Sequence, residues 1–115
     1  MKREIKDKWI EALRSGKYEQ GRDLLCKISG GEKHCCLGVL CELAPNVIKT
    51  IRPNLDRRLY DGKICYLPKS VQNWAGMRTN CGQAFPDDLS LIALNDSGFT
   101  FPQIADFISK NWEEL

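Results

Sequence analysis

Arginine and aromatic side chains are interleaved in the middle of the chain, and this mixture is typical of a site for a nucleotide-like anion. Guanidinium groups hold phosphate oxygens bidentately, and aromatic faces stack on bases. The candidate ligand-binding residues of this region are Arg52, Arg57, Arg58, Tyr60, Trp74 and Arg78. The alternative is a set of solvated surface arginines, because charged residues are usually exposed. The chain has neither a GxxxxGKS/T loop nor a GxGxxG loop, which argues against ordinary ATP and NAD domains.

A second group of reactive residue types is the run His34-Cys35-Cys36. Cys36 would begin a helix, where backbone N–H groups acidify a thiol, and His34 is the only histidine that could serve as its base. Positions 34 and 36 of a strand face the same side, so the two side chains could touch. Cys36 and His34 are therefore an outside candidate for a catalytic pair. The simpler interpretation is that Cys36 and Cys41 are small buried hydrophobic residues.

The spacing of the six cysteines does not favour a metal centre. Zinc sites are commonly built from two Cys-x2–4-Cys knuckles, and no such pair of knuckles is present. We therefore predict no metal and no cofactor. The charged N-terminus MKREIKDKWIEAL lacks the apolar core of a signal peptide, and no apolar run is long enough to span a bilayer. A cytoplasmic protein with free thiols is the expectation.

The C-terminal segment GFTFPQIADFI resembles the turn and second helix of many helix-turn-helix domains. A DNA reader also needs a recognition helix that enters the major groove, and only residues 109–115 remain for it. These residues include Glu113 and Glu114, whose charges repel phosphates. DNA binding by this element is therefore not expected.

Charge is unevenly distributed along a chain of 115 residues whose net charge is only +2. Residues 45–82 carry seven basic side chains against two acidic ones, whereas residues 83–115 carry one basic side chain against six acidic ones. The middle third is therefore the part expected to face an anion. The alternative is that the basic and acidic parts face each other, within the fold or across a homo-oligomer.

Hydrophobic periodicity predicts the helices that would frame these residues. Ile5, Trp9 and Leu13 recur at four-residue steps and predict an amphipathic helix over residues 3–14. The almost wholly apolar run over residues 37–44 predicts a short buried helix.

Two β-hairpins are predicted between the terminal helices. The segments RDLLCKI and EKHCC flank Gly30-Gly31, and RLY and ICYL flank Asp61-Gly62, both suited to tight turns. Residues 45–57, with two prolines, are predicted to be a loop.

The remainder of the chain is predicted to be helical. One short helix starts after Pro68 and another covers residues 89–95, while a capping box of Thr100 and Gln103 begins the last one. The pattern predicts one α+β domain over residues 1–115, with an N-terminal helix, two hairpins forming an antiparallel sheet and a C-terminal helical hairpin.

Four segments resemble a widespread group of small, largely uncharacterised proteins encoded by tailed bacteriophages. They are WIEALRSGKYEQGRDLL, HCCLGVLCELA, LPKSVQNWAGM and LIALNDSGFTFPQIADFI, which follow one another in order over about half of the chain. The CCLGVLC and LNDSG strings are the most specific part of the match. The family brings no established activity with it.

The resemblance implies a phage accessory protein that acts in the cytoplasm of the infected host. Small phage proteins of this size commonly neutralise host defences, by blocking a protein or by sequestering a nucleotide immune signal in an oligomer pocket. With the arginine-aromatic middle, this gives the hypothesis of a non-enzymatic protein that sequesters a nucleotide-derived signal. Gln20, Asn95 and Asp96 lie in the family-like strings. Gln20 is a further candidate for ligand binding, whereas turn and cap chemistry explains the other two.

Three alternatives belong to other functional classes. A protein-interaction module that inhibits a host factor would use exposed apolar surface. A cysteine-dependent hydrolase would need the Cys36 thiol. A DNA-binding protein would lose affinity steeply with salt.

Overall fold

The computed structural model describes residues 1–84 and 89–115 of the chain. Within these ranges it contains five α-helices, a five-stranded mixed sheet and a two-stranded sheet, so the predicted α+β class is confirmed. The helices are Arg3–Arg14 (α1), Cys36–Leu43 (α2), Lys69–Ala75 (α3), Leu91–Asp96 (α4) and Phe101–Asn111 (α5). The strands are Glu19–Gln20 (β1), Cys26–Lys27 (β2), Lys33–His34 (β3), Lys49–Arg52 (β4), Arg57–Tyr60 (β5), Gln83–Ala84 (β6) and Leu89–Ser90 (β7).

The helices enclose the core much as the periodicity predicts. Ile5, Trp9 and Leu13 are buried on α1, which packs against α5 and α2. The indole Nε1 of Trp9 donates to the carbonyl oxygen of Cys36 at 2.9 Å, so the start of α2 is fixed against α1. The capping box at Thr100 is present and begins α5. None of the helices in the described ranges has the length and apolar character needed to cross a membrane.

The larger sheet has the strand order β1-β3-β2-β5-β4. The β1 and β3 strands are parallel, and the other pairs are antiparallel. The predicted first hairpin is confirmed as β2 and β3, with Gly30 and Gly31 at positive φ in the turn. Both glycines have φ values that a side chain would strain.

The predicted second hairpin is wrong beyond its turn. Asp61 and Gly62 do form a tight turn at positive φ, but the pairing across it ends at one bridge between Tyr60 and Lys63. The strands that pair with β5 are instead β2 and β4, and β4 lies inside the predicted loop of residues 45–57. Pro45 and Pro53 flank this strand, so the breaker signals at its ends concealed the short alternating stretch between them.

The C-terminal helical hairpin is confirmed, with its first helix starting at Leu91 rather than at residue 89. Leu89 and Ser90 form β7, and the Ser90 hydroxyl accepts a hydrogen bond from the backbone N–H of Ala93. Ser90 is thus the N-cap of α4.

Candidate functional site

Strand register places four cationic residues in one row across the larger sheet. Lys33 lies opposite Lys27, Lys27 opposite Arg57, and Arg57 opposite Arg52. Directly opposed residues of antiparallel strands project to the same face, with Cβ atoms roughly 5 Å apart. We call Lys33, Lys27, Arg57 and Arg52 the cation row. With strands roughly 4.8 Å apart, its three intervals span about 14 Å.

The cation row lies on the outer face of the sheet. Side chains alternate along a strand, so the neighbours of the row residues point the opposite way, towards α2. Cys26 and His34, the neighbours of Lys27 and Lys33, are accordingly buried, and so is Tyr60, three residues beyond Arg57. Lys27 and Arg52 are exposed, whereas the other two row residues are half-buried.

Few acidic groups offset the charge of this row. Glu19 continues it at the β1 end, with its Oε1 atom 3.8 Å from the Lys33 Nζ atom. Asp56 is the other acidic neighbour, and hydrogen bonds from Ser29 together with the charge of Lys27 lower the pKa of its carboxyl. Like charges directly opposite one another destabilise a sheet. A bound polyanion would remove that repulsion.

Arg57 is oriented by the backbone. Its Nε atom donates to the carbonyl oxygen of Leu55 at 3.0 Å. In the part of the chain that the structure describes, its two terminal nitrogens make no hydrogen bond or ion pair. A guanidinium held in this way keeps its paired terminal N–H groups for the oxygens of a phosphate.

The opposite face carries a network centred on Glu42 of α2. The Glu42 carboxylate accepts hydrogen bonds from Tyr60 Oη, from Arg58 at 3.2 Å and from Lys49 Nζ at 3.2 Å. Arg58 also forms an ion pair with Glu32. Burial raises the pKa of Glu42, but the Tyr60 and Lys49 hydrogen bonds and the nearby cations outweigh it and lower that pKa overall.

This network removes two predicted residues from the ligand surface. The Arg58 side chain is only 13% exposed and is held by two carboxylates, and Tyr60 is 0% exposed. Phosphate binding by Arg58 and base stacking by Tyr60 are therefore not supported. The period of two explains this placement: Arg57 projects outward, and Arg58 must then project inward.

The other predicted ligand residues lie apart from the cation row. Trp74 is half-buried beside Ser70 in a cavity of about 250 Å³ that no row residue lines. Arg78 has an exposed side chain, and its backbone N–H donates to the terminal carbonyl of Leu115 at 2.6 Å. Of the predicted set, Arg52 and Arg57 are therefore the two residues that lie in the cation row.

Gln20 is occupied in holding the fold. Its Nε2 atom donates to Asn95 Oδ1 at 2.9 Å and to the Phe99 carbonyl at 2.7 Å, and its Oε1 atom accepts from the Phe101 N–H at 3.0 Å. These bonds join β1 to the turn between α4 and α5. The prediction that Gln20 contacts a ligand is therefore not supported.

The thiol that meets His34 is Cys26, not Cys36. Cys26 and His34 are cross-strand partners, whereas the Cys36 Sγ atom lies 3.6 Å from the carbonyl oxygen of Leu91 in the core. Burial raises the pKa of the Cys36 thiol well above its ordinary value and also raises that of Cys26. Neither thiol is an activated nucleophile, so the catalytic pair is not supported.

Sequence reasoning missed Lys27, Lys33 and Cys26, and the missing information was register. A symmetrical two-residue turn at Gly30-Gly31 would set Cys26 opposite Cys35, but the observed pairing sets it opposite His34. A shift of one residue exchanges the two faces of a strand. Only the observed register aligns the two lysines with Arg57.

The fold and the row define a small α+β protein with a cationic sheet face. The family model described as a domain of unknown function (DUF8296) matches residues 1–112, and the chain belongs to that family. No curated protein and no solved structure matches the chain.

Proposed function

We propose that the chain is a non-enzymatic protein that binds a phosphate-bearing, nucleotide-like ligand on the cation row. The observation that carries this proposal is the alignment of Lys33, Lys27, Arg57 and Arg52 across four adjacent strands. Such an alignment costs stability in the absence of an anion. A row about 14 Å long suits a ligand with several phosphates better than one with a single charge.

The biological setting of the proposal is that of a phage accessory protein in the host cytoplasm. Its ligand would be a nucleotide-derived immune signal, which it would sequester as a homo-oligomer. The resemblance of the CCLGVLC and LNDSG strings to phage proteins supports this setting. The row supports recognition of the phosphates, and base recognition would come from outside the row.

A binding measurement with a matched pair of variants tests the row. The probe is inorganic tripolyphosphate, and binding is followed by isothermal titration calorimetry. We expect Lys27→Gln with Arg57→Gln to weaken binding at least about a hundredfold, because two charge-assisted contacts of roughly 1.5–3 kcal/mol each are lost. The control is Lys63→Gln with Lys69→Gln, which removes the same charge from two exposed positions outside the row.

The control variant should bind within about twofold of the unmodified protein once salt has screened distant charges. Equal losses in the two variants would show that net charge alone attracts the probe, and the proposal would fail. Arg58 is unsuitable for this test because its removal would take an ion-pair partner from both Glu42 and Glu32.

Native mass spectrometry of protein purified from bacteria without added ligand tests the ligand class. An excess mass that matches a nucleotide, on a homo-oligomer, would support sequestration. Nucleotide-free protein that also fails to bind a panel of nucleoside polyphosphates would contradict it.

A protein-interaction module is the second candidate, and the edge of the sheet favours it. β4 is an edge strand, and an open edge can pair with a strand of another protein. Ile48, Ile51 and Leu55 lie along or beside this strand and are 69%, 52% and 57% exposed. Under this alternative, Ile51→Glu abolishes binding to a host protein and leaves tripolyphosphate binding unchanged.

A further inference from the structure

Three potential metal ligands converge on the inward face of the sheet, opposite the cation row. The Cys26 Sγ atom, a Glu32 carboxylate oxygen and a ring nitrogen of His34 all lie within 4.8 Å of one another. Cys26 and His34 are brought together as cross-strand partners, and Glu32 comes from the end of the turn between their strands. These residues are too irregularly spaced to form a zinc knuckle, and only the hairpin unites them.

The buried imidazole of His34 is a second observation, independent of the clustering, that points to a bound metal ion. The residue is 2% exposed, and neither its Nδ1 nor its Nε2 atom has a hydrogen-bond partner within the described ranges. Its ring meets Tyr18 edge to face, with 5.5 Å between the ring centroids. A buried ring nitrogen without a partner costs free energy, and a metal ion would satisfy one of them.

Carboxylates lie near the His34 ring and around the proposed ligands. The ring of a metal-bound histidine usually donates its second N–H to a carboxylate, and a carboxylate ligand is usually hydrogen-bonded in turn. Glu42 Oε2 lies 3.9 Å from His34 Nε2, which places a carboxylate near the ring but beyond hydrogen-bond distance. Arg58 holds one oxygen of Glu32 and leaves the other available.

We propose that Cys26, His34 and Glu32 form a binding site for a divalent transition metal of the zinc class. Mixed sulfur, nitrogen and oxygen ligands suit Zn²⁺, which binds three protein groups where a fourth position is kept open. Cys26 binds as the thiolate, and its proton passes to solvent. The Glu32 side chain is 49% exposed, so the open position faces solvent on its side. The site shares no residue with the cation row and does not rest on the proposed ligand.

Metal titration of the chelator-treated protein tests this site. Zn²⁺ binding is measured by calorimetry, and Co²⁺ is used as a spectroscopic probe because a thiolate ligand gives an intense near-ultraviolet charge-transfer band. We expect one Zn²⁺ per chain and the thiolate band. Cys26→Ser and His34→Gln should each weaken Zn²⁺ binding at least about tenfold, in line with the large losses seen when metal-site residues are changed.

The matched controls are Cys65→Ser and Cys81→Ser, since these half-buried thiols lie outside the cluster. Each should bind Zn²⁺ within about twofold of the unmodified protein if the ligands are those proposed. Loss of binding in these controls instead would show an adventitious thiol site and overturn the proposal.

Glu32→Gln keeps the test decisive if the two buried variants fail to fold. Its side chain is half exposed, and the amide oxygen can still accept from Arg58. We expect weaker Zn²⁺ binding and an altered Co²⁺ spectrum with the far-ultraviolet circular dichroism unchanged. Unchanged metal affinity in Glu32→Gln would overturn the three-ligand site.

Discussion

At the scale of single residues, Asn95 holds together three parts of the chain. Its Oδ1 atom accepts from Gln20 Nε2 at 2.9 Å and from the Cys36 N–H at 3.2 Å, and its Nδ2 atom donates to the Gly21 carbonyl at 2.8 Å. The residue is 0% exposed. Asn95 therefore does more than the turn chemistry expected from the sequence: it anchors β1 and the first turn of α2 to α4.

Asn95→Ala should lower the free energy of unfolding by about 2–4 kcal/mol, because buried polar partners are left unsatisfied at roughly 1–3 kcal/mol each. Urea denaturation followed by circular dichroism measures the change. The control is Asn73→Ala on the exposed side of α3, which should change stability by less than about 0.5 kcal/mol. Similar losses in the two variants would show that Asn95 is not the anchor described here.

At the scale of elements, α2 packs very closely against Leu25, the residue that precedes β2. A Cβ atom added to Gly38 would lie 1.8 Å from the carbonyl oxygen of Leu25. This approach fixes the depth of α2, and with it the position of Glu42 beneath the sheet. The apolar run predicted the helix, but nothing local to it predicted the contact with Leu25.

Gly38→Ala should therefore destabilise the protein, although alanine favours a helix over glycine by about 1 kcal/mol. We expect a net loss of at least about 2 kcal/mol, since helix and strand must separate to admit the methyl group. Thermal unfolding measures this loss. The control is Lys8→Ala on the exposed face of α1, which should change the stability little. An increase in stability for Gly38→Ala would contradict the close packing of α2.

Helices and sheet differed in how much the sequence revealed. The α1 and α5 helices carry their signals locally, in the spacing of Ile5, Trp9 and Leu13 and in the capping box at Thr100. The β4 strand has four residues and owes its existence to pairing with β5. Pairing between distant segments leaves little trace in either segment alone, and the strand was missed for that reason.

At the scale of the whole molecule, positive charge is divided between the two faces of the sheet. The ion pairs of the middle third join Lys49 and Arg58 to Glu42 and Glu32, which belong to the first third of the chain. Within residues 1–84 and 89–115, no ion pair joins the middle third to the acidic C-terminal third. Lys33, Lys27, Arg57 and Arg52, on which the proposed function rests, lie on the other face of the sheet.

The whole fold also determines which of the six thiols are accessible to solvent. All are unpaired, and four are buried whereas Cys65 and Cys81 are half-buried. Burial also raises the pKa of the Cys35 thiol to about 11, which suppresses its reactive thiolate at neutral pH. Burial therefore lowers the reactivity of Cys35 in two ways, by excluding reagents and by keeping the thiol protonated.

Labelling of the native protein with a thiol reagent should modify Cys65 and Cys81 first. The expected result is two rapid equivalents per chain, with the other four appearing only on unfolding, because buried thiols react through opening of the structure. Mass spectrometry of peptides identifies the sites. Rapid labelling of Cys36 would contradict its burial and revive it as a candidate nucleophile.

The sequence by itself determined the α+β class, the terminal helices, the buried helix and the first hairpin, because periodicity, caps and turn residues act over a few neighbouring positions. Tertiary structure decided the site. It turned Arg57 towards solvent and Arg58 towards Glu42, aligned Lys27 with Arg57, and set Cys26 rather than Cys36 against His34. These outcomes depend on strand register, because a shift of one residue in the pairing moves every side chain of a strand to the other face of the sheet.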